Sequence, residues 1–427
     1  MLWFYCAYLF SFFKLDNKKQ YTMRILHIGQ MIGGLDIYIR NSIIYNKVEG
    51  NEYVIACGKD DKHRPVIRNG VEVKEYPISL FRSLNPLNDL KALMEAVKII
   101  RKEKPDVIHC HSAKGGIIGR TAGWITGVKT FYTPHAFSYL CTPSKLKRWV
   151  FMTIERLTRF KTYVLACSES EQEMAIKEVG YSKEYALVWH NAVPDSSLER
   201  GKVVDISEPY ACYIGRPCYQ KNPLFLLDVI KKVKDRGCNL KFILLGVGYH
   251  SPELEAMKAK MYELGLEDSI RLEPWINHAD CQEFVRKSLF YISTALYEGL
   301  PLAIIEAMAN GKAIIASDVV GNKDCVRNGE NGYLLPLDAD AYANKIIQLV
   351  NDKELRTSME EKSRALFLEE FFIENRIKYL QNQYNMVYNL RYGGANLVLL
   401  KTNIDNVILV SVGYDATLHH EERRVAA

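Results

Sequence analysis

The sequence predicts an α/β protein of two Rossmann-like domains in tandem, and three observations carry that expectation. Short β-branched runs alternate with amphipathic helical stretches from Met23 onward, the pattern of a parallel sheet covered on both faces. The alternation breaks once, around residues 194 to 208, at Pro194-Asp195-Ser196-Ser197, a charged run and Pro209, and then restarts. A chain of 427 residues is also too long for one small core and suits two. The expected divisions are an extension at 1–22, a first domain at 23–195, a second at 208–370, a final helix at 371–390 and a tail at 391–427.

Residues 1 to 13, MLWFYCAYLFSFF, are continuously apolar or aromatic, and Lys14, Lys18 and Lys19 follow. That run is shorter than the about 20 residues a helix needs to span a bilayer. It has neither the basic start nor the small-residue cleavage site of a signal peptide. The fold is expected to begin at Met23, with the preceding segment either a start codon placed too early or an interfacial anchor. Met23-Arg24-Ile25-Leu26-His27-Ile28 then reads as the first strand, and 53–57, 71–76, 106–110, 129–133, 162–167 and 185–189 as its successors. Between them, Leu87 to Arg101 spaces its apolar residues by three and four, as a helix does. The second series opens with Tyr210-Ala211-Cys212-Tyr213-Ile214-Gly215 and Leu240 to Gly246, and Ala313 to Asp318 is a later strand. Helical periodicity fades from residue 392, and the tail carries no functional signal. Ligands of such sheets bind beyond the carboxyl ends of strands, so the cleft between the domains is the expected active site.

Composition narrows the class. With 48% hydrophobic and 25% charged residues the chain is globular, neither fibrous nor disordered. A net charge of +6 is too mild for a nucleic-acid binder and suits anionic ligands or an anionic membrane surface. Ten cysteines include no C-x-x-C, and several lie in apolar runs, so buried free thiols in a reducing cytosol are expected. Gly29 to Gly34 follows the first strand and opens a helix, and Gly33 and Gly34 let backbone amides approach an anion or a sugar. It is not G-x-G-x-x-G, no ribose-binding acid ends the second strand, and no P-loop occurs; a nicotinamide dehydrogenase or a P-loop enzyme is not expected.

The densest constellation is Tyr297-Glu298-Gly299-Leu300-Pro301-Leu302-Ala303-Ile304-Ile305-Glu306-Ala307-Met308-Ala309-Asn310-Gly311. Pro301 suits a first helical turn, which puts Glu298 in the preceding loop and Glu306 about two turns down. The amides of Gly299 to Leu302 would face the cleft, where a helix start favours phosphate or a sugar oxygen. Carboxylates suit vicinal hydroxyls because each oxygen accepts a charge-assisted hydrogen bond.

This block, with Ala313 to Asp318 and Asn331-Gly332-Tyr333-Leu334 after it, resembles the donor-site signature of the family 4 retaining glycosyltransferases. Upstream, Ile214-Gly215-Arg216 with Lys221-Asn222 is similar to the family segment whose Arg and Lys hold the donor diphosphate. Gly33-Gly34 matches its amino-terminal glycine loop, and Thr133-Pro134-His135 a strand end where it often carries a cleft histidine. The resemblance spans residues 23 to 390 and implies the GT-B fold: an acceptor-side first domain, a donor-binding second domain and a final helix crossing back. It further implies Arg216 and Lys221 on the diphosphate, Glu306 on ribose hydroxyls, Glu298 on donor-sugar hydroxyls and His135 at the donor sugar or acceptor. One departure is Val320-Gly321-Asn322-Lys323-Asp324, where a double glycine and Glu are more usual.

The expected function is retaining transfer of a sugar from a nucleotide sugar to a polysaccharide or lipid-linked glycan. Fixed cations at the diphosphate take the place of a metal, and no cofactor is expected. A nucleotide-sugar 2-epimerase and a non-catalytic sugar-nucleotide-binding subunit are the alternatives. Asp338-Ala339-Asp340 precedes a helical run and reads as a cap rather than a metal site. His109 and His111 face one side of a strand, but no third ligand is evident and no zinc is expected. Residues 145 to 161 follow Pro143-Ser144 as a helix with Lys145, Arg148, Arg156 and Arg159 in one stripe and Leu146, Val150, Ile154 and Leu157 opposite, toward the sheet. That stripe is either a solvated face or a dock for an anionic membrane, making a cytoplasmic protein peripheral at the inner face.

Overall fold

The computed structural model describes residues 22–58, 64–81, 85–202, 206–248, 251–392, 397–403 and 406–412. The apolar segment at 1–13 lies outside the described residues. The first sheet has seven parallel strands, β1 (Arg24–Gln30), β2 (Glu52–Gly58), β3 (Lys74–Pro77), β4 (Val107–His111), β5 (Lys129–Thr133), β6 (Tyr163–Ala166) and β7 (Ala186–Val188). Their spatial order is β3-β2-β1-β4-β5-β6-β7. The second sheet has six, β8 (Tyr210–Ile214), β9 (Lys241–Val247), β10 (Ile270–Pro274), β11 (Phe290–Ser293), β12 (Ala313–Ser317) and β13 (Gly332–Leu335), ordered β10-β9-β8-β11-β12-β13. In both sheets the order reverses beside the first strand, between β1 and β4 and between β8 and β11. These are the crevices where doubly wound sheets bind ligands.

Helices cover the first sheet as α1 (Gly34–Ile44), α2 (Pro86–Glu103), α3 (Ser112–Thr126), α4 (Lys145–Leu157) and α5 (Glu169–Met174). The second carries α6 (Pro223–Asp235), α7 (Leu254–Glu263), α8 (His278–Lys287), α9 (Leu302–Ala309), α10 (Asn322–Cys325), α11 (Ala339–Asn351) and α12 (Lys353–Leu366). Local chemistry sets their ends. The Asn85 side chain accepts from Leu87 N and Asn88 N, and Pro86 supplies a preset first turn, so α2 starts one residue before the expected Leu87. Asp338 caps α11 by accepting from Asp340 N and Ala341 N, while Asp340 pairs with Arg236, as the cap reading of that string anticipates. The expected strand 71–76 divides: Val71–Glu72 pairs antiparallel with Ile67–Arg68, and only Lys74–Pro77 joins the sheet.

Both faces of the first sheet are buried. Leu26, Ile28, Val54 and Ile108 pack on Ala96, Ile100 and Ile118. The other face, through Ile25, Ile55, Val107 and Phe131, receives Ile377, Leu380, Tyr384 and Val387 of α13 (Ile373–Tyr392). The last helix therefore crosses from the second domain to complete the core of the first, each buried side chain contributing about 1.5–3 kcal/mol. Polar contacts fix its register: Asn46 and Asn51 both donate to Gln381 Oε1 (2.8 and 2.9 Å), and the Trp189 indole donates to Arg376 O (3.1 Å). Beyond it, 397–403 and 406–412 form an antiparallel hairpin. No two of the nine described cysteines are joined by a disulfide; Cys238 and Cys281 are half-buried, and Cys141 is exposed rather than buried. Among the described residues no helix is long and apolar enough to cross a membrane.

The apolar side of α4 departs from the sequence expectation, whereas Lys145, Arg148 and Arg156 are exposed as expected. Leu146 is 70% exposed, Trp149 65% and Leu157 73%, whereas Phe151 and Met152 pack on the core. The arginines are turned back onto the protein: Arg156 donates to Glu178 O, Arg159 to Gly180 O, and Arg148 lies over the Tyr139 ring. The cause is Glu155, which a helical wheel assigns to solvent. It is buried and paired with the equally buried Arg120 (2.9 Å), and it accepts from Tyr132 Oη (3.0 Å). An interior ion pair pins Glu155 inward while the other charged residues of the helix stay exposed.

Candidate active site

The carboxyl ends of the two sheets face each other across a narrow seam. A β-carbon on Gly34 would stand 3.5 Å from Leu302 Cδ1, and one on Gly299 would come within 2.8 Å of Ala136 N. Only a glycine at 299 lets the loop before α9 lie against the strand end that carries His135. Hydrogen bonds between described residues cross this seam. Ser168 Oγ donates to Gly299 O (2.9 Å), Asn191 Nδ2 to Leu300 O (2.6 Å) and Ser170 N to Asp324 Oδ1 (3.0 Å). Asp324 also accepts from Gly321 N (3.1 Å), so the turn that departs from the family pattern braces one domain on the other.

The two glutamates are brought to the same side of the second sheet, each on its own partners. Helix α9 begins at Leu302, one residue after Pro301, so Glu306 sits about one turn down rather than two. Glu298 lies in the preceding loop, where Lys221 Nζ is 2.6 Å from one carboxylate oxygen and Gln220 Nε2 3.0 Å from the other. Lys221 is held there because the left-handed Asn222 (φ 52°) and Pro223 turn the chain sharply into α6. Arg216 follows β8, half-buried, with no ion pair or hydrogen bond among the described residues. At the start of α9, Ile304 N and Ile305 N donate to Pro301 O (3.1 and 3.2 Å), which leaves the Leu302 and Ala303 amides without an acceptor inside the helix.

Glu306 is buried and receives His278 Nε2 (3.0 Å) on one oxygen and Gln282 Nε2 (3.1 Å) on the other. His278 Nδ1 is 2.8 Å from Glu199 Oε2 in the interdomain connection. The bond to Glu306 first, then that to Glu199, raises the imidazole to about 9, against its partial burial. Neither His278 nor Gln282 carries a sequence motif, and reading the chain alone does not find them.

On the opposite wall, His135 and Ala136 both take left-handed backbone (φ 54° and 76°), an uncommon pair for residues with side chains. Glu171 holds the turn, accepting from Ala136 N and Cys167 N (2.7 Å each); burial raises this carboxyl to about 7. The His135 ring points inward. Its Nε2 is 3.3 Å from His111 Nδ1 and its Nδ1 3.5 Å from Cys167 Sγ, and burial lowers it to about 3. His111 Nε2 in turn meets His27 Nδ1 at 3.0 Å. The third histidine that the sequence did not reveal is therefore His27, brought beside His109 by the parallel pairing of β1 with β4. His109 Nδ1 and Nε2 lie 2.7 and 2.8 Å from Tyr384 Oη and Thr133 Oγ1, while His27 Nε2 is buried without a hydrogen-bond partner among the described residues.

Two family models together match residues 32–366. Residues 32–197 match the model described as Glycosyltransferase Family 4, and residues 198–366 that of Glycosyl transferases group 1. The chain is 29% identical over 331 residues to the UDP-Gal:alpha-D-GlcNAc-diphosphoundecaprenol alpha-1,3-galactosyltransferase of Escherichia coli, covering 73% of this chain and 83% of that protein. Among solved structures, the sucrose-phosphate synthase of Thermosynechococcus elongatus superposes with a TM-score of 0.74 at 18% identity, covering 87% of this chain and all of the other. Anabaena HepE in complex with UDP-glucose gives 0.70 at 18% identity over 85% of this chain and 99% of that one. With one family model ending at the residue before the other begins, and the GT-B architecture around both, the chain belongs to the family 4 glycosyltransferases, enzymes that transfer glycosyl groups.

Proposed function

We propose that the protein moves a sugar from a uridine-diphosphate donor to a lipid-linked glycan acceptor, with retention at the anomeric carbon. The observation that supports this reading is Lys221 held on Glu298 (2.6 Å) in the loop that leads into α9, with Arg216, unpaired among the described residues, just after β8. In the reaction the bond from the anomeric carbon to the diphosphate oxygen breaks, positive charge develops on the sugar, and the nucleoside diphosphate leaves with the electron pair. Arg216 and Lys221 stabilise that departing charge, so the protein itself supplies what a metal would. The acceptor hydroxyl adds to the same face of the sugar and passes its proton to the departing diphosphate oxygen. The curated relative and the HepE complex support uridine, and the relative supports the lipid-linked diphosphate acceptor. Incubation with a panel of nucleotide sugars should release nucleoside diphosphate only when a lipid-linked acceptor is added. Acceptor-independent release of nucleotide with an altered sugar would instead identify an epimerase.

Glu306→Ala is expected to weaken nucleotide binding more than Glu298→Ala, because ribose contacts are made equally in ground and transition states. Glu298→Gln should bind nucleoside diphosphate more tightly than wild type, since it frees Lys221, while turning over slowly. Calorimetry of the three variants tests both statements. Equal, unaltered affinities would place the ribose elsewhere.

The exposed side of α4 is the proposed membrane contact. Leu146, Trp149, Val150 and Leu157 stand out of the surface, with Lys145, Lys147 and Lys161 around them and the stacked Trp124 and Phe160 rings (5.2 Å) alongside. Apolar side chains ringed by lysines suit an interface of anionic headgroups, each lysine adding about 1 kcal/mol. A chain starting at Met23 should co-sediment with anionic liposomes. Replacing Leu146, Trp149 and Leu157 with serine should release it without altering nucleotide affinity, and sedimentation that survives this triple change excludes the helix as the contact.

A further inference from the structure

We infer that His278 is a positioning residue for donor recognition: by bridging Glu306 to Glu199 it fixes the plane of the carboxylate that reads the ribose hydroxyls. The inference rests on the proposed placement of ribose at Glu306 and adds a residue that this placement does not name.

A carboxylate on a helix rotates about two side-chain bonds, and recognition of vicinal hydroxyls requires one orientation to be chosen beforehand. Here each oxygen of Glu306 has one partner on α8, His278 Nε2 at 3.0 Å and Gln282 Nε2 at 3.1 Å. Gln282 is itself held, because Asn310 Nδ2 donates to its Oε1 (2.7 Å). An oxygen with one donor retains a lone pair, so both remain able to accept from a hydroxyl while the group cannot swing. His278 differs from Gln282 in reaching outside its domain core. Its second nitrogen meets Glu199 at 2.8 Å, in the connection between the two sheets, whose Ser196 Oγ also approaches Glu306 O (3.4 Å). The imidazole thus ties the ribose carboxylate to the segment about which the domains are joined. Its side chain is 40% exposed, so little of the core depends on it.

The test compares a nucleoside diphosphate with its 2′-deoxy form, using UDP or whichever nucleotide the release assay selects. Affinities are measured by calorimetry for the full chain and for His278→Ala, His278→Gln, Glu199→Gln and Glu306→Ala. A hydroxyl bound to a properly aimed carboxylate is worth a discrimination of about tenfold or more. Wild type should show it, and Glu306→Ala should lose it. His278→Ala should fall to about twofold or less, chiefly by weakening the ribo form, with kcat at saturating donor nearly unchanged. Glu199→Gln should lie between, and His278→Gln, which keeps a donor toward Glu306, should recover part of the ratio. A merely structural role would weaken both nucleotides alike and leave the ratio intact, which overturns the inference. If Glu306→Ala keeps the wild-type ratio, or wild type has none, the ribose placement itself fails and the inference falls with it. Loss in Glu306→Ala with full retention in both His278 variants rejects the inference alone.

Discussion

Replacing Arg216 or Lys221 with alanine is expected to remove about 2–4 kcal/mol of transition-state stabilisation, the scale for one preorganised donor at a site of developing charge. The two losses should differ in kind. Arg216 is unpaired among the described residues, so its removal takes away a cation and leaves nothing stranded. Lys221 is the partner of a buried carboxylate, and Lys221→Ala leaves Glu298 with Gln220 alone. An uncompensated anion then faces the diphosphate, and donor binding should suffer together with turnover. Adding Glu298→Gln to Lys221→Ala should therefore restore donor affinity but not rate, a separation that single-turnover kinetics resolves. Full activity in either single variant, or recovery of rate by added divalent cation, contradicts a mechanism in which these side chains carry the charge.

The second large effect is on stability. Arg120 and Glu155 are both essentially inaccessible to solvent, at 0% and 1% side-chain exposure, and the guanidinium lies 4.0 Å over the Tyr132 ring. Arg120→Leu leaves a carboxylate buried with only hydroxyl partners, which should cost about 3–5 kcal/mol. Arg120→Leu with Glu155→Leu should recover most of that, because removing both charges also removes their desolvation penalty. Denaturant unfolding followed through the buried Trp189 reports on the first domain, with the transition treated as its own because a two-domain chain need not unfold in one step. A double variant as unstable as the single one would mean that the pair is held for packing alone.

The same pair shows where sequence reading stops. Strand and helix alternation was legible because β-branched runs and three-to-four spacing are local properties, and Glu298 and Lys221, which the structure pairs, stood out because they sit in one dense string and its upstream companion. The direction of α4 was not, since a wheel assigns Glu and Arg to water and cannot know that Arg120, on another helix, waits inside. His27 required the pairing of β1 with β4, a non-local fact. His278 stands 28 residues before Glu306, and only the placement of α8 against α9 joins them.

The crossing hydrogen bonds have a thermodynamic meaning. The acceptors at Gly299 and Leu300 belong to the loop that leads into α9, and their donors, Ser168 and Asn191, belong to the other domain. Separating the domains therefore strips that loop of its supports, and with the donor bound there as proposed, domain closure and donor affinity are one coordinate. Any acceptor that favours the closed arrangement tightens the donor, and the donor must tighten the acceptor by the same factor. In such an enzyme the order of substrate binding is a kinetic preference laid over a reciprocal equilibrium, and the first domain shares in setting the affinity measured at the second.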